Sequence, residues 1–304
     1  MPYLKRIIVI GFLLLPLSFK QIVMIKLKIA GVPEHFNLPW HLGIETGKFG
    51  EKSIDLTWRD IPEGTGKLCQ MLRDGETDMA VILTEGIIKD ITAGNPSKIV
   101  QVYVESPLIW GIHVAADSQY HTMNDIRNGK VAISRYGSGS HLMAYVNADN
   151  QGWDTQKLDF EVINTLGGAI DALTERKADY FMWERFMTKP VVDRGIFRRI
   201  DDCPTPWPSF VIAVRNDVLK SHPDAIGTVL DIINQITSKF KEIPGIDRVL
   251  AERFHQKTED IQEWLKLTEW SQKKLDKNTF EKVQNQLVSL NIIENKAAFE
   301  TVTG

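Results

Sequence analysis

The stretch Leu72-Arg-Asp-Gly-Glu-Thr-Asp78, followed by the apolar run Met79–Ile82, has a second, similar copy later in the chain. That copy is Leu173-Thr-Glu-Arg-Lys-Ala-Asp179, followed by Tyr180–Trp183. In both copies the Leu and the last Asp are six positions apart, and an acidic residue stands two positions after the Leu. Each copy predicts the end of a helix and the strand that follows it. The repetition therefore predicts two similar α/β lobes.

Outward from the two copies, short apolar runs alternate with amphipathic stretches. Strands separated by helices of about ten residues are typical of a β–α–β sheet with helices on its faces. The predicted strands are Lys26–Ala30, Ile54–Trp58, Thr77–Ile82, Lys98–Glu105, Phe160–Ile163, Tyr180–Trp183 and Phe210–Val214. The predicted helices include Leu38–Thr46, Gly64–Leu72 and Thr84–Ala93. From Ser221 onward a helical segment is predicted, so the fold class is α/β with a helical C-terminal segment.

The composition is that of an ordinary globular protein. Of the 304 residues, 43% are hydrophobic and 25% are charged, and the formal net charge is −3. A near-neutral chain without a basic cluster argues against a nucleic-acid partner. Cys69 and Cys203 are far apart, and the seven histidines form no HExxH motif. Neither a metal site nor a cofactor is therefore predicted.

Residues 1–23 are interpreted separately from the fold. Lys5-Arg6 precedes the apolar run Ile7–Phe19, which is too short to span a bilayer but fits the basic and hydrophobic regions of a signal peptide. The small-x-small cleavage pattern is missing, and Met24 directly precedes the first predicted strand. Two interpretations stay open. The segment is an export signal, which makes the protein periplasmic or exported, or it is upstream codons read as protein, which leaves a cytoplasmic protein starting at Met24.

A loop of small residues, Gly137-Ser-Gly-Ser140, joins a predicted strand to a predicted helix. One interpretation is structural, because a tight turn needs Gly and because Ser caps a helix. The other is functional, because free N–H groups and Ser hydroxyls at a helix N-terminus bind a carboxylate, sulfonate or phosphate. Ser138, Gly139 and Ser140 are therefore candidate ligand contacts. His141, in the first helical turn, is a candidate hydrogen-bond donor to the same ligand.

Further candidates of the first lobe stand where a helix begins or a strand ends, since open α/β sheets bind ligands at the carboxyl ends of their strands. Thr65 and Gly66 open the helix that corresponds to the one after the glycine–serine loop. Thr84 and Glu85 end a strand at the same edge, where Glu85 would meet a cationic nitrogen of the ligand. The structural alternative for all four is helix capping.

Aromatic residues beside polar ones supply the remaining candidates. Trp183 and Glu184 end the matching strand of the second lobe, where a flat indole next to a carboxylate would hold a heteroaromatic ring. Asn37 and Trp40 follow the first strand and are predicted to reach the same ligand. The alternative for each tryptophan is core packing.

Three segments together resemble the periplasmic substrate-binding proteins of ABC transporters. They are Leu72–Asp78, the early Trp40-His-Leu-Gly-Ile-Glu-Thr-Gly-Lys-Phe49, and Gly137–Ser140. The branch they resemble includes alkanesulfonate and nitrate binders and the thiamine-pyrimidine proteins. The likeness runs from about Ile25 to Pro223, which is most of the chain.

The resemblance implies the type 2 periplasmic-binding-protein fold, with two lobes, joined by two crossing strands, that close on a small solute. It places the first lobe at residues 24–114 plus 208–304 and the second at 115–207. The crossings are expected near His113–Ala116 and Pro206–Phe210. It also implies a monomer that captures a small organic anion or a heteroaromatic metabolite, with an ABC permease as candidate partner.

One branch of the family is an enzyme, the fungal pyrimidine synthase of thiamine biosynthesis, which uses a Lys, a His four residues later and a Cys-rich iron motif. In that register Ile82 replaces the Lys, Gly86 replaces the His, and the Cys-rich motif is missing. The resemblance therefore favours a solute-binding protein. The alternative is an enzyme of thiamine-pyrimidine or related cofactor metabolism on the same fold.

Overall fold

The computed structural model describes residues 23–304. The two interpretations of residues 1–23 lie outside this range, apart from Val23 itself. Within the described residues, ten strands form two five-stranded sheets, as the α/β fold class and the two predicted lobes require. No helix among these residues combines the length and the apolar character needed to cross a bilayer.

The first sheet contains five strands, in the spatial order β2-β1-β3-β10-β4. They are β1 (Ile25–Gly31), β2 (Ile54–Asp60), β3 (Met79–Leu83), β4 (Ser97–Val104) and β10 (Phe210–Arg215). The second sheet has the order β7-β6-β8-β5-β9. It contains β5 (Ile109–Ala115), β6 (Val131–Ile133), β7 (Phe160–Val162), β8 (Tyr180–Glu184) and β9 (Phe197–Pro204).

Twelve α-helices accompany the strands in the described residues. Those of the first two-thirds of the chain are α1 (Leu38–Glu45), α2 (Thr65–Asp74), α3 (Thr84–Thr92), α4 (Gly139–Asn150), α5 (Leu166–Thr174) and α6 (Arg185–Asp193). The C-terminal ones are α7 (Asn216–Ser221), α8 (Pro223–Thr237), α9 (Ile246–Arg253), α10 (Thr258–Leu267), α11 (Lys277–Ser289) and α12 (Phe299–Val302). Short 3₁₀ turns cover His35–Asn37, Gly50–Lys52, Met123–Ile126, Thr155–Lys157 and Phe240–Glu242.

The two sheets correspond strand for strand. In the first, β1 pairs in parallel with β2 and β3, and the antiparallel β10 joins β3 to β4. In the second, β6 pairs in parallel with β7 and β8, and the antiparallel β5 joins β8 to β9. Each sheet thus receives its antiparallel strand just after the chain has crossed from the other sheet. This topology gives two similar lobes around a shared cleft.

The repeated Leu-to-Asp segments have the same structural role in both lobes. The Asp78 carboxylate accepts a hydrogen bond from the Lys28 amide at 2.8 Å, and the Asp179 carboxylate accepts one from the Lys130 amide at 2.7 Å. Each Asp amide in turn donates to the carbonyl of the same lysine, at 3.0 and 2.8 Å. The Asp at the end of the repeat therefore fixes the register of β3 against β1 and of β8 against β6.

The chain crosses between the sheets at residues 105–108 and 205–209. The expected first crossing at His113–Ala116 is wrong, because β5 is already hydrogen-bonded into the second sheet, with Gly111 opposite Trp183. The second crossing overlaps the expected Pro206–Phe210. The two crossing segments are hydrogen-bonded to each other, since the Thr205 amide donates to the Leu108 carbonyl at 3.0 Å. They form one two-stranded connection between the lobes.

The C-terminal helices pack on the first lobe. The Val102 amide donates to the Lys273 carbonyl at 2.8 Å, and Ile99 forms a parallel bridge with Thr303 at the edge of the first sheet. Buried Ile232, Leu250 and Val283 contribute to the same hydrophobic core as the strands of the first sheet. These contacts support a first lobe that combines the N-terminal part with the C-terminal segment.

Candidate functional site

A cavity of about 490 Å³, counting its open mouth, lies between the lobes. The first lobe and the crossings contribute Val32, Glu34, Glu63, Gly64, Thr65, Leu83, Leu108 and Phe210 to its walls. The second lobe contributes Trp110, Ser134, Arg135, Ser138, Gly139, Ser140, Trp183 and Glu184. Most of these residues follow the carboxyl end of a parallel strand, the position where open α/β sheets bind ligands.

The serines at the start of α4 line the cavity and also stabilise the helix. Ser138 is the N-cap, and its hydroxyl accepts the His141 amide hydrogen bond at 3.3 Å. The Ser140 hydroxyl accepts from the Ser134 amide at 3.0 Å and lies 3.1 Å from the Ser138 hydroxyl. Both side chains are nearly buried. The capping interpretation therefore holds for Ser138, and a ligand contact by either serine stays a prediction.

We expect Ser140→Ala to lower the free energy of unfolding of the ligand-free protein by about 1–3 kcal/mol, because the buried Ser134 amide loses its acceptor. The Ser289→Ala variant is a suitable control, since its exposed hydroxyl donates only to the Gln286 carbonyl of its own helix. Urea denaturation of the two variants provides the comparison. Equal stability of Ser140→Ala and wild type would show that the Ser134 amide has another acceptor.

Gly139 leaves no room for a side chain. A Cβ atom at this position would lie 3.0 Å from Trp110 Cη2 and 3.1 Å from Leu83 Cδ1. Leu83 belongs to the first lobe, whereas Gly139 and Trp110 belong to the second. The glycine therefore allows the two lobes to approach each other at the cavity.

Arg135 is the one cationic side chain among the described residues that line this cavity. Its Nη1 donates to the Glu63 carbonyl of the first lobe at 2.8 Å. Its guanidinium also covers Gly66, where a Cβ would lie 2.5 Å from Arg135 Nη2. Gly66 is thus separated from the cavity by Arg135, and its predicted ligand contact is not supported by its position. Thr65, its neighbour, lines the cavity.

Two acidic side chains line the cavity, one from each lobe. Glu184, 3% exposed, accepts a hydrogen bond from the Met187 amide at 2.6 Å and caps α6. Burial, with a smaller contribution from the charge of Glu34, raises the pKa of Glu184 to about 8. Burial also raises the pKa of Glu34 to about 7, and its Oε2 has no hydrogen-bond partner in the described residues. Neither carboxyl has a cation paired with it in the cavity.

Two tryptophans form an apolar wall. Trp110 and Trp183 are in edge-to-face contact, with ring centroids 6.3 Å apart. Trp110 is 5% exposed, and its Nε1 has no acceptor among the described residues. Trp110 lies opposite Glu184 in the β5–β8 pairing, so the crossing strand brings an indole next to the carboxyl. This arrangement can hold a flat ring.

A smaller cavity of about 330 Å³ adjoins the first and shares Thr65, Leu83, Ser138 and Gly139 with it. Glu85 and His141 line this second cavity and not the first. Glu85 accepts a hydrogen bond from Trp207 Nε1 at 2.8 Å, and burial raises its pKa to about 7. Burial, and to a smaller degree Lys89, lowers the pKa of His141. His141 Nδ1 accepts the Gly137 amide hydrogen bond at 3.1 Å, which favours the neutral imidazole.

Three further predicted contacts lie in the core or at the crossing and not at either cavity. Trp40 is fully buried and stacks on Phe49, with ring centroids 6.2 Å apart. Asn37 Nδ2 donates to the Val32 carbonyl at 2.7 Å, which closes the loop after β1. Thr84 Oγ1 donates to the Pro208 carbonyl at 2.6 Å. These residues shape the first lobe and its connection, so their predicted ligand contacts are corrected.

The structure adds cavity residues that the sequence did not single out, chiefly Glu34, Trp110 and Arg135. Glu34 lies in the same loop as the predicted Asn37, and Arg135 lies three residues before Ser138. Their proximity to predicted residues is the signal that could have identified them. Trp110 had no such signal, because its place depends on the antiparallel pairing of β5.

The lobes are also in contact at the rim of the cleft. Arg185 of α6 donates to Glu263 of α10 at 2.5 Å, and Lys257 is paired with Asp193 at 2.7 Å. Gln256 Nε2 donates to the Phe186 carbonyl at 3.0 Å. Together with the Arg135–Glu63 hydrogen bond, these contacts describe a closed arrangement of the lobes.

Comparison with known proteins agrees with this architecture. A family model of Ca3427-like periplasmic binding proteins matches residues 110–203. The solved structure of the CA3427 gene product of Candida albicans, which has the generic periplasmic binding protein fold, is 28% identical with a TM-score of 0.82. That match covers 90% of this chain and 92% of the other. No curated protein in the comparison matches the sequence.

Two bacterial structures share the fold at lower identity. The alkanesulfonate-binding protein SsuA of Xanthomonas axonopodis pv. citri, bound to MOPS, is 14% identical with a TM-score of 0.75, covering 88% of this chain and 93% of that one. The aliphatic sulphonate binding protein SsuA of Escherichia coli is 15% identical with a TM-score of 0.69, covering 92% of each chain. Residues 23–304 therefore have the type 2 periplasmic-binding-protein fold, and their central segment is similar to the Ca3427-like periplasmic binding proteins.

Proposed function

We propose that the protein is a solute-binding protein that captures a small organic anion or a heteroaromatic metabolite between its two lobes. The observation that carries this proposal is the cavity between the lobes, to which both contribute polar and aromatic side chains. Ligand sites of this kind are concave, largely apolar, and contain a few well-placed polar groups. The printed ligand of one structural neighbour, MOPS, is a sulfonate of suitable size.

The polar groups of the cavity suit a negatively charged substituent at one place. Arg135, the first-turn amides of α4 and the start of α2 at Thr65 meet there. The N-terminal amides of a helix lack intrahelical acceptors and favour an anion. A heteroaromatic part of the ligand would contact Trp110 and Trp183.

A thermal-shift screen against sulfonates, pyrimidines, thiamine precursors and small carboxylates tests the proposal. A ligand at one hundred times its dissociation constant stabilises the folded protein by about 2.7 kcal/mol. Trp183→Ala should reduce the shift, whereas Trp153→Ala should keep it, because Trp153 lies outside both cavities. The absence of any shift across the screen at millimolar concentration would count against solute binding.

The enzyme alternative is separable from binding by the fate of the ligand. Ile82 is fully buried in β3, and Gly86 packs against Thr65, where a Cβ would lie 2.2 Å from Thr65 Cγ2. Neither position offers a reactive group. A binding protein returns its ligand unchanged after incubation, which mass spectrometry of the recovered ligand would detect.

Capture of a solute also implies a partner and a location. We propose delivery to an ABC permease by an exported, monomeric protein, in line with neighbours that are components of ABC import systems. Genes for a permease and an ATPase next to this one would support that partner. Fractionation of cells that express the full chain would test export.

Closure of the lobes on the ligand should be visible in solution. We expect the radius of gyration from small-angle scattering to decrease when ligand is added, because the crossings at residues 105–108 and 205–209 form a single connection. Arg185→Ala, which removes the contacts with Glu263 and Asp202, should enlarge the radius of the ligand-free protein. An identical radius with and without a tight ligand would mean that the cavity is rigid.

A further inference from the structure

We propose that the ligand of the larger cavity carries a positively charged nitrogen group with N–H donors, held between Glu34 of the first lobe and Glu184 of the second. The inference rests on the proposed solute-binding function and specifies the chemistry of its ligand. The chemical class is a protonated amine or amidine. A ligand that also bears an anionic group near Arg135 would be zwitterionic.

The charges that line the cavity support this class. Glu34, Glu63 and Glu184 are acidic and Arg135 is basic. Arg135 already donates to the Glu63 carbonyl and covers Gly66, so it does not balance the two buried carboxyls. Transfer of a carboxylate into a protein interior is costly unless a cation or hydrogen-bond donors accompany it. A ligand that brings its own cation satisfies this requirement.

Unpaired polar atoms at the cavity give an independent indication. Oε2 of Glu34 and Nε1 of Trp110 have no hydrogen-bond partner among the described residues, and both side chains line the cavity. Trp110 is 5% exposed, so its N–H has no access to bulk water. Buried polar groups in native proteins are nearly always paired, and exceptions point to a missing ligand or water. The Trp110 and Trp183 indoles lie next to Glu184 and favour a cation further by cation–π attraction.

The titration of the two carboxyls is consistent with such a ligand. Burial raises the pKa of both, and the charge of Glu34 contributes to the shift at Glu184. The other charged or titratable groups that face them are Glu63, Arg135, the neighbouring Arg185, and His35, whose own pKa burial lowers to about 3. A bound cation favours the ionised carboxylates, so binding should release protons near neutral pH.

Matched pairs of compounds test the proposal by titration calorimetry at pH 7.5. Taurine and isethionate differ in an amine against a hydroxyl, and benzamidine and benzamide differ in an amidinium against an amide. We expect the cationic member of a pair that binds to be preferred by at least about tenfold, since a hydrogen bond to a charged group is worth more than a neutral one. In Glu34→Gln and in Glu184→Gln the preference should fall below about threefold.

Glu85→Gln is the matched control, because Glu85 is a buried carboxyl with a raised pKa that does not line this cavity. It should keep the preference. Equal or tighter binding of the uncharged member would overturn the inference and leave solute binding intact. Loss of the preference in Glu85→Gln to the same extent would also overturn it, since the effect would then be a general one. If no compound of these pairs or of the wider screen binds, the proposed function itself fails and the inference with it.

Discussion

Gly139→Val should weaken the binding of any ligand of the larger cavity by about tenfold to one hundredfold. A Cβ at this position would lie 3.0 Å from Trp110 Cη2, 3.1 Å from Leu83 Cδ1 and 3.2 Å from Trp110 Cζ2. Overpacking of this kind costs about 1–3 kcal/mol. Because Leu83 belongs to the opposite lobe, most of the cost applies to the closed form, which is the form that holds the ligand.

The same glycine-to-valine change at Gly167 is the control. Gly167 lies in the first turn of α5, as Gly139 does in α4, and a Cβ there would meet only Thr165 Oγ1 at 3.7 Å. Calorimetric affinity should therefore stay near that of wild type for Gly167→Val. Scattering should show Gly139→Val remaining open when ligand is added. Wild-type affinity of Gly139→Val would mean that the bound form keeps Leu83 away from α4.

The fold could be predicted from the sequence because its signals are local and repeated. Alternating apolar runs and helices specify an α/β protein, and the two Leu-to-Asp segments specify two lobes because each Asp fixes a strand register. The first crossing was misplaced because the apolar pattern of β5 is the same in either sheet. Only pairing with β8 and β9, which are distant in sequence, assigns it to the second lobe. The strand β9 and the helix α6 were missed among polar residues.

The candidate site was predictable where it depends on strand ends. Ser138, Ser140, Trp183 and Glu184 follow parallel strands, and the topology brings them to one cavity. Trp40 was assigned to the ligand because an aromatic after a strand suits both a core and a binding wall. Its contacts with Phe49 and Trp58 arise from the packing of α1 on β2, which no local pattern reveals.

Glu34 and Arg135 could not be assigned from sequence for a different reason. Whether a charged loop residue is solvated or enclosed depends on closure of the opposite lobe. Arg135 acquires its role by donating to Glu63 across the cleft, and Glu34 acquires a raised pKa from burial. Both properties belong to the assembled pair of lobes and not to either segment.

We expect Glu184→Gln to make the ligand-free protein more stable than wild type at pH 9 and about equally stable at pH 5. The pKa of Glu184 is raised from 4.5 to about 8. Between these values the unfolded chain has lost its proton while the folded protein keeps it, so stability of the wild type falls as pH rises. Below pH 4.5 the carboxyl is neutral in both states, and above about 8 the loss is complete. Glutamine removes this loss and can still accept the Met187 amide hydrogen bond.

The size of the difference at pH 9 should be roughly 2–4 kcal/mol, given about 1.4 kcal/mol for each unit of pKa shift. Urea denaturation at pH 5, 7 and 9 measures it, with Glu51→Gln as control, because Glu51 is exposed and its variant should follow the wild-type curve. Parallel curves for Glu184→Gln and wild type would show that Glu184 is ionised in the free protein. A stability gain combined with loss of preference for a cationic ligand would mean that the buried carboxyl is retained for binding at the expense of the fold, as is common at functional sites. The same residue would then limit stability at alkaline pH and determine which ligand the closed lobes accept.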